Sequence, residues 1–394
     1  MPNLFKDFSS QAFLAGFVAV LVGFASSLAI VLQAVQALNV SVEIVESWIW
    51  ALGIGMGVCC LGLSWYYKKP IIIAWSTPGA ALLAIGLQGA SMQHAVGMFM
   101  FVALISIMVA LTGAFNKILK IIPLPIAAAL LAGVLFQFGL SIFTSMQTSP
   151  VMVLSMLCAF FIGKIIIPRY AVIATLVVGL IVVYFLQNFD DLAIKLEWVV
   201  PVFTAPRVDW TLIVGVGLPL FIVTMSAQNL PGIAVLKSSG YADQPITPII
   251  GTVNLVTVLL APFGCFALNL AAITAAICTN EEAHTHPSKR YIAGMSAGVF
   301  NIATGLLAGT VVGVFASFPA AFIATLAGIA LLGTIANSLS AALSDIHNRD
   351  AAIVTFLICA SGISFFGIAA SFWAVIAGII IHKIFAAAPA QKRL

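Results

Sequence analysis

Charge is what this sequence lacks. Only 7% of its 394 residues are Asp, Glu, Lys or Arg, while 62% are hydrophobic; an ordinary soluble domain carries roughly a quarter charged residues. Twelve acidic and sixteen basic side chains cannot clothe a soluble protein of this size, so the solvent for most of its surface is lipid. None of these charges falls well inside an apolar run, so no charged proton carrier stands at membrane depth. No nucleophile with a base and no metal cluster stands there either. An enzyme is therefore excluded: no catalytic residue, metal ligand or cofactor is expected. Cysteine is sparse too. Cys59, Cys60, Cys158, Cys265, Cys278 and Cys359 all lie in apolar runs without disulfide or metal-ligand spacing and read as small core residues. Glu281, Glu282, His284 and His286 form a compact group beside Pro287, Lys289 and Arg290, which reads as a solvated turn.

What is present is a succession of apolar runs near the length that a bilayer demands, about 20 residues per helix. Fourteen segments can be drawn, at roughly 11–36, 48–66, 70–88, 94–115, 123–143, 150–167, 169–188, 211–236, 247–262, 263–279, 290–313, 317–342, 351–367 and 369–386. The first is too long for a signal peptide and has no small-residue cleavage site, so it reads as a retained span. With both termini cytoplasmic, fourteen of the sixteen Lys and Arg residues fall inside, among them Lys6, Lys68, Lys69, Lys117, Lys120, Lys164, Arg169, Lys237, Lys289, Arg290 and Arg349. Only Lys195 and Arg207 fall outside. A missed span would reverse every later loop, so this asymmetry supports both the count and a bacterial inner-membrane location. The net charge of +4 thus reports topology and gives no reason to expect nucleic acid as a partner.

The halves resemble each other at an offset near 195 residues. Pro125, Gly133 and Gly139 correspond in order to Pro319, Gly328 and Gly333. Seven spans per half is an odd number, so the repeat is inverted, an architecture of transporters. In the third segment a β-branched stretch ends at Trp75, Ser76 or Thr77 offers a helix cap, Pro78 suits the first turn and an Ala-rich half-helix follows. The tenth segment repeats the pattern through Pro262, Gly264 and Asn269. Two half-helices starting near the midplane would aim their N–H groups and positive dipole ends at one anion. Ser26, Ser27, Thr224, Ser226, Gln228 and Asn229 are polar at mid-span and should face protein or a cavity. Trp75, Phe263 and Phe266 stand beside the breaks and are candidates to flank a planar ring.

The run Gly16 to Ser27, the break Ser76-Thr77-Pro78-Gly79, the stretch Ser226 to Gly232 and Pro262 to Asn269 together resemble the benzoate/proton symporter family (BenE). More distantly the arrangement is similar to the uracil and nucleobase-ascorbate transporters. That resemblance implies an all-α membrane protein of two inverted seven-span repeats. Its core domain would comprise 1–118 and 209–315, and its gate domain 119–208 and 316–394. It also implies a substrate site at Ser26, Ser27, Trp75, Ser76, Thr77, Pro78, Gly79, Gln228, Asn229, Gly264, Cys265, Phe266 and Asn269. The nucleobase relatives place carboxylates where this chain has Gln228, Asn229, Leu268 and Asn269, a departure that suits an anionic substrate. Expected partners are a benzoate-like anion, a proton, membrane lipid and, as one allowed assembly, a second copy. The substrate carboxylate or Asp345 is the expected proton carrier. Another small anion, a nucleobase or channel-like passage of anions is the alternative.

Overall fold

Within lipid each backbone N–H must find its carbonyl inside the protein, so the apolar runs fold as helices wherever nothing interrupts them. The computed structural model describes residues 7–113, 123–187, 198–241, 243–366 and 368–387. In the first half they form α1 (Ser10–Gln36), α2 (Val42–Tyr67), β1 (Ile73–Trp75), α3 (Thr77–Gly86), α4 (Met92–Thr112), α5 (Leu124–Thr144), α6 (Pro150–Ile166) and α7 (Ala171–Gln187). In the second half they form α8 (Trp210–Ser238), α9 (Ile246–Leu260), β2 (Leu268–Leu270), α10 (Ile273–Thr279), α11 (Tyr291–Leu306), α12 (Ala308–Ala316), α13 (Ala320–Leu343), α14 (Arg349–Ser361) and α15 (Ala370–Ala387). Among the described residues, seven helices are long and apolar enough to cross a bilayer by themselves, or eight with the bent pair α11 and α12. Lys6, Lys117, Lys120, Lys195, Lys392, Arg393 and the side chain of Arg169 lie outside the described residues.

Both expected breaks are present. β1 and β2 pair antiparallel, Ile73 opposite Leu270, Ala74 opposite Asn269 and Trp75 opposite Leu268, and each strand leads into a short helix. The packing repeats on exchange of the halves: α2 lies along α11, and α9 lies along α4. Along α2 and α11 the contact is made by glycine. A side chain at Gly53 would meet Gly305 and the Asn301 carbonyl within 3.0 Å, and one at Gly298 would meet Leu61 and the Gly57 carbonyl. Such close backbone approach is how helices associate where lipid removes the hydrophobic drive. One large buried cluster joins α1 to α5 with α8 to α11. A second, built from Ile142, Met152, Phe160, Val183, Phe322 and Ile329, joins α5, α6, α7 and α13.

Two features differ from the sequence expectation, and a third shows how an expected span is kept whole. The segment drawn as one run over 290–313 bends by 67°. It breaks at Leu307 (φ −97°, ψ 23°), two residues after the Gly305 that lies against α2, and no proline is involved. Cys158 faces outward from α6, while the other five cysteines are buried. Helix α8 stays continuous past Pro219 and Pro231 by adopting π turns over Ile213–Gly217 and Met225–Asn229 just ahead of them, which accommodates prolines that would otherwise lack room in the i−4 ladder.

The two ends of the bundle are tied differently. At one end Lys69 pairs with Asp243 at 2.7 Å, Lys289 with Asp7 at 3.6 Å, and the Tyr291 hydroxyl donates to Asp7 at 2.9 Å. At the other, the extended stretch 198–209 straps across: Ser47 Oγ accepts from the Val202 N–H at 2.9 Å and donates to the Phe263 carbonyl at 3.0 Å, and the Thr204 N–H donates to the Pro262 carbonyl.

Overpacking a tight helix contact costs about 1–3 kcal/mol. Gly53→Val should therefore lower the thermal midpoint of the purified protein markedly. Gly62→Ala, where an added methyl meets nothing within 4 Å, should leave it unchanged.

Candidate substrate site

The strand pair sets the site. Trp75 ends β1 and turns its indole toward α1, where Nε1 donates to Ser27 Oγ at 2.9 Å while Ser27 donates onward to the Gly23 carbonyl at 2.8 Å. Phe24 packs edge-on against Trp75, ring centroids 4.7 Å apart. Ser76 caps α3: its Oγ accepts from the Gly79 N–H at 3.0 Å and from the Thr224 hydroxyl at 3.1 Å. This bond locks the start of α3 to α8. The start of α10 has no side-chain cap, so its first N–H groups lack the partner that Ser76 gives to α3.

Asn229 and Asn269 serve the strands. Asn229 Oδ1 accepts from the Leu270 N–H at 3.1 Å, carrying the ladder of β2 over to α8, and Asn269 Nδ2 donates to the Ala267 carbonyl at 3.0 Å. Gly264 (φ +106°) and Ala267 (φ +38°) bend the chain between α9 and β2. A side chain at Gly264 would lie 2.9 Å from the Trp48 backbone.

In front of the two half-helix starts lies a cavity of about 870 Å³. Ser26, Ser27, Trp75, Thr77, Pro78 and Gln228 line it, joined by Gly23, Phe24 and Ser226. Seven expected site residues lie outside its lining: Ser76, Gly79, Asn229, Gly264, Cys265, Phe266 and Asn269. Ser76, Asn229 and Asn269 are fully buried because they satisfy backbone groups. Gly79 sits beneath the Ser76 cap against Leu220. Cys265 and Phe266 are turned away by the Gly264 bend, Phe266 packing on Trp48 and Phe99. Phe263 packs on Trp50 and Phe203 instead of facing the cavity; the aromatic neighbour of Trp75 is Phe24.

The far wall had not been anticipated. It comes from α5 (Leu124, Ala127, Ala128, Leu131), α7 (Val172, Ile173) and α13 (Leu331, Thr334, Asn337, Ser338, Ala341). The signal for α13 was available, since Thr334, Asn337 and Ser338 sit at i, i+3 and i+4 in an otherwise apolar run. Among the described residues, no Asp, Glu, Lys, Arg or His lines the cavity. Its polar character comes from amides, hydroxyls and helix starts alone.

A membrane-embedded bundle with paired broken helices opening onto a cavity between two packed bodies defines a transporter of the core-and-gate type. Solved structures agree on the fold. The chain superposes on that of SLC26A9 with a TM-score of 0.61 at 10% identity, covering 98% of this chain and 67% of that one. It superposes on the transmembrane domain of a cyanobacterial bicarbonate transporter, BicA, with a TM-score of 0.57 at 13% identity, covering 95% and 97%. The model of the BenE family, described as benzoate membrane transport protein, matches residues 6–384. Similar relatives are an inner membrane protein, YdcO, of Escherichia coli strain K12, 41% identical over 94% of this chain and 95% of its own length, and a benzoate membrane transport protein of Acinetobacter baylyi, 39% identical over 98% and 97%. The chain belongs to the BenE family, and it is an inner-membrane transport protein rather than an enzyme.

The two neighbouring amides of α8 separate structure from binding. Asn229→Ala leaves a buried N–H of β2 unpaired, at a cost of about 1–3 kcal/mol, so it should lower the thermal midpoint. Gln228→Ala removes a side chain that makes no hydrogen bond among the described residues and should melt like the parent.

Proposed function

We propose that this chain imports benzoate or a similar small aromatic carboxylate by movement of a core domain (1–118 with 209–315) against a gate domain (119–208 with 316–394). The observation that carries this reading is the composition of the cavity wall: helix starts, hydroxyls and the amides of Gln228 and Asn301 on one side, an aromatic corner of Phe24 and Trp75 beside them, and, among the described residues, no charged side chain. A carboxylate placed at the starts of α3 and α10 meets positive dipole ends without the tight hold of a lysine or arginine. Its ring then lies against Phe24, Trp75 and the aliphatic gate wall.

The cavity reaches Leu124 at the start of α5, Pro168 between α6 and α7, Asn280 after α10 and Ala341 near the end of α13. All four stand at the ends that the distribution of Lys and Arg assigns to the cytoplasm. With fourteen segments and both termini inside, this conformation is inward-open.

Coupling to a proton has no titratable group to run through in the cavity, so in this reading the proton travels on the substrate carboxyl. The substrate is held as the anion at the helix starts and takes up its proton only on crossing, which moves one proton per molecule without a side-chain relay. Asp345 does not suit the task. Its carboxylate accepts from Asn348 Nδ2 at 2.6 Å and from the His347 N–H at 3.0 Å, and these bonds hold its pKa below the ordinary carboxylate value. It is therefore ionised at neutral pH, and whatever stability it adds is lost only as pH falls through that lowered value.

Labelled benzoate uptake into liposomes of the purified protein should be saturable, counter-stimulated by internal benzoate and enhanced by an inward proton gradient. Uptake no greater than in empty liposomes would overturn the substrate, and discrete conductance steps would favour a channel. Gln228→Ala should weaken benzoate binding by about 1–3 kcal/mol; parental affinity would return Gln228 to packing. Asp345→Asn should leave the shape of the pH profile of uptake unchanged between pH 5 and 8, and a shifted limb would make Asp345 the proton carrier.

A further inference from the structure

The gate wall carries polar groups on one helix only. The lining residues from α5 and α7 are Leu, Ala, Val and Ile, whereas α13 presents Thr334, Asn337 and Ser338. Asn337 is exposed to the cavity, and neither its amide nor the Thr334 hydroxyl makes a hydrogen bond among the described residues. Asn337 and Thr334 therefore present an amide and a hydroxyl whose donors and acceptors are free to meet a ligand in the cavity. The cavity itself, about 870 Å³, is far larger than one small ring carboxylate. It continues along α13 from Leu331 through Thr334, Asn337 and Ser338 to Ala341, away from the half-helix starts and toward the end judged cytoplasmic. Donors spaced along this path, on the gate wall against which the core faces, offer hydrogen bonds to an anion after it leaves α3 and α10.

We propose that Thr334 and Asn337 form a second, gate-borne station for the substrate carboxylate, on the path between the half-helix site and the cytoplasm. The proposal rests on the reading that the half-helix cavity holds a small carboxylate. Neutral donors suit a transient station, since a lysine there would trap the anion.

Equilibrium binding of labelled benzoate to the purified protein, and benzoate exchange by proteoliposomes, test this with Asn337→Ala, Asn337→Asp, Asn337→Gln and Thr334→Val. Asn337→Ala and Thr334→Val should each weaken apparent affinity and slow exchange about three- to tenfold. Asn337→Asp should be worse than Asn337→Ala, because a fixed negative charge repels the ligand, and Asn337→Gln should stay within about twofold of the parent. Thermal midpoints equal to the parent's separate these effects from misfolding. If Ala and Asp variants both bind and exchange within twofold of a functioning parent, or if Asp is no worse than Ala, the station is overturned. If the parent itself fails to bind benzoate, the functional reading falls instead.

Discussion

An extended backbone in the middle of a bilayer exposes N–H and C=O groups that lipid cannot satisfy, each at a cost of several kcal/mol. Here two three-residue strands solve the problem for each other. Leu268 to Leu270 pairs with Ile73 to Trp75, and the ladder is extended at both ends by the Ala271 N–H to the Ile72 carbonyl and the Ser76 N–H to the Ala267 carbonyl. Side chains satisfy what remains: Asn229 takes the Leu270 N–H, Ser64 both donates to and accepts from Ile71, and Cys60 bonds Ile73. Neither strand is tenable without the other. One strand comes from each half of the chain, so the fold cannot place one broken helix without the second. The convergence of two helix starts on a single cavity follows from that pairing.

Electrostatics then follow from an absence. A cavity that among the described residues has no ionisable lining would, in the proposed reading, hold an anion by partial charges spread over helix ends, hydroxyls and amides, each worth a fraction of a full charge. Such a site is easily left as well as filled, which suits a carrier better than a receptor. In that reading the burden of selectivity would shift to shape and apolar contact with Phe24, Trp75 and the aliphatic far wall.

The backbone breaks were legible in the sequence because their signals are local. A β-branched run, a capping serine and a proline mark where a helix cannot continue and where it restarts, and Ser76 caps α3 as that pattern requires. Side-chain direction was less legible. Phe263, Cys265 and Phe266 stand beside the second break, yet the positive φ at Gly264 and Ala267 turns them into the interior. Asn229 and Asn269 advertise themselves as polar at mid-span, a property shared by a ligand donor and by a residue closing a backbone ladder. Only three-dimensional pairing separates these roles. The α13 stripe was visible as a spacing but belongs to a wall contributed by the opposite body, and the Leu307 bend has no proline to announce it.

The two packed bodies differ in how they are held, and that difference bears on movement. Around α2 and α11 glycines bring backbones into contact, and the strand ladder crosses between halves, so this body resists shear. The cluster of α5, α6, α7 and α13 is joined by larger apolar side chains such as Met152, Phe160 and Phe322. Facing the cavity, both bodies present many small residues: Ala19, Gly23 and Ala297 on one side, Ala127, Ala128, Ala330 and Ala341 on the other. Small side chains interlock little, so sliding or rocking one face past the other meets fewer steric barriers than a ridge-and-groove contact would impose. Among the described residues no charged side chain lines either cavity wall, so no Coulombic attraction between them needs to be broken when they part. Under the proposed function, an anion bound between them would be the main polar object at the interface, and its arrival or departure would alter the balance between the two bodies' arrangements.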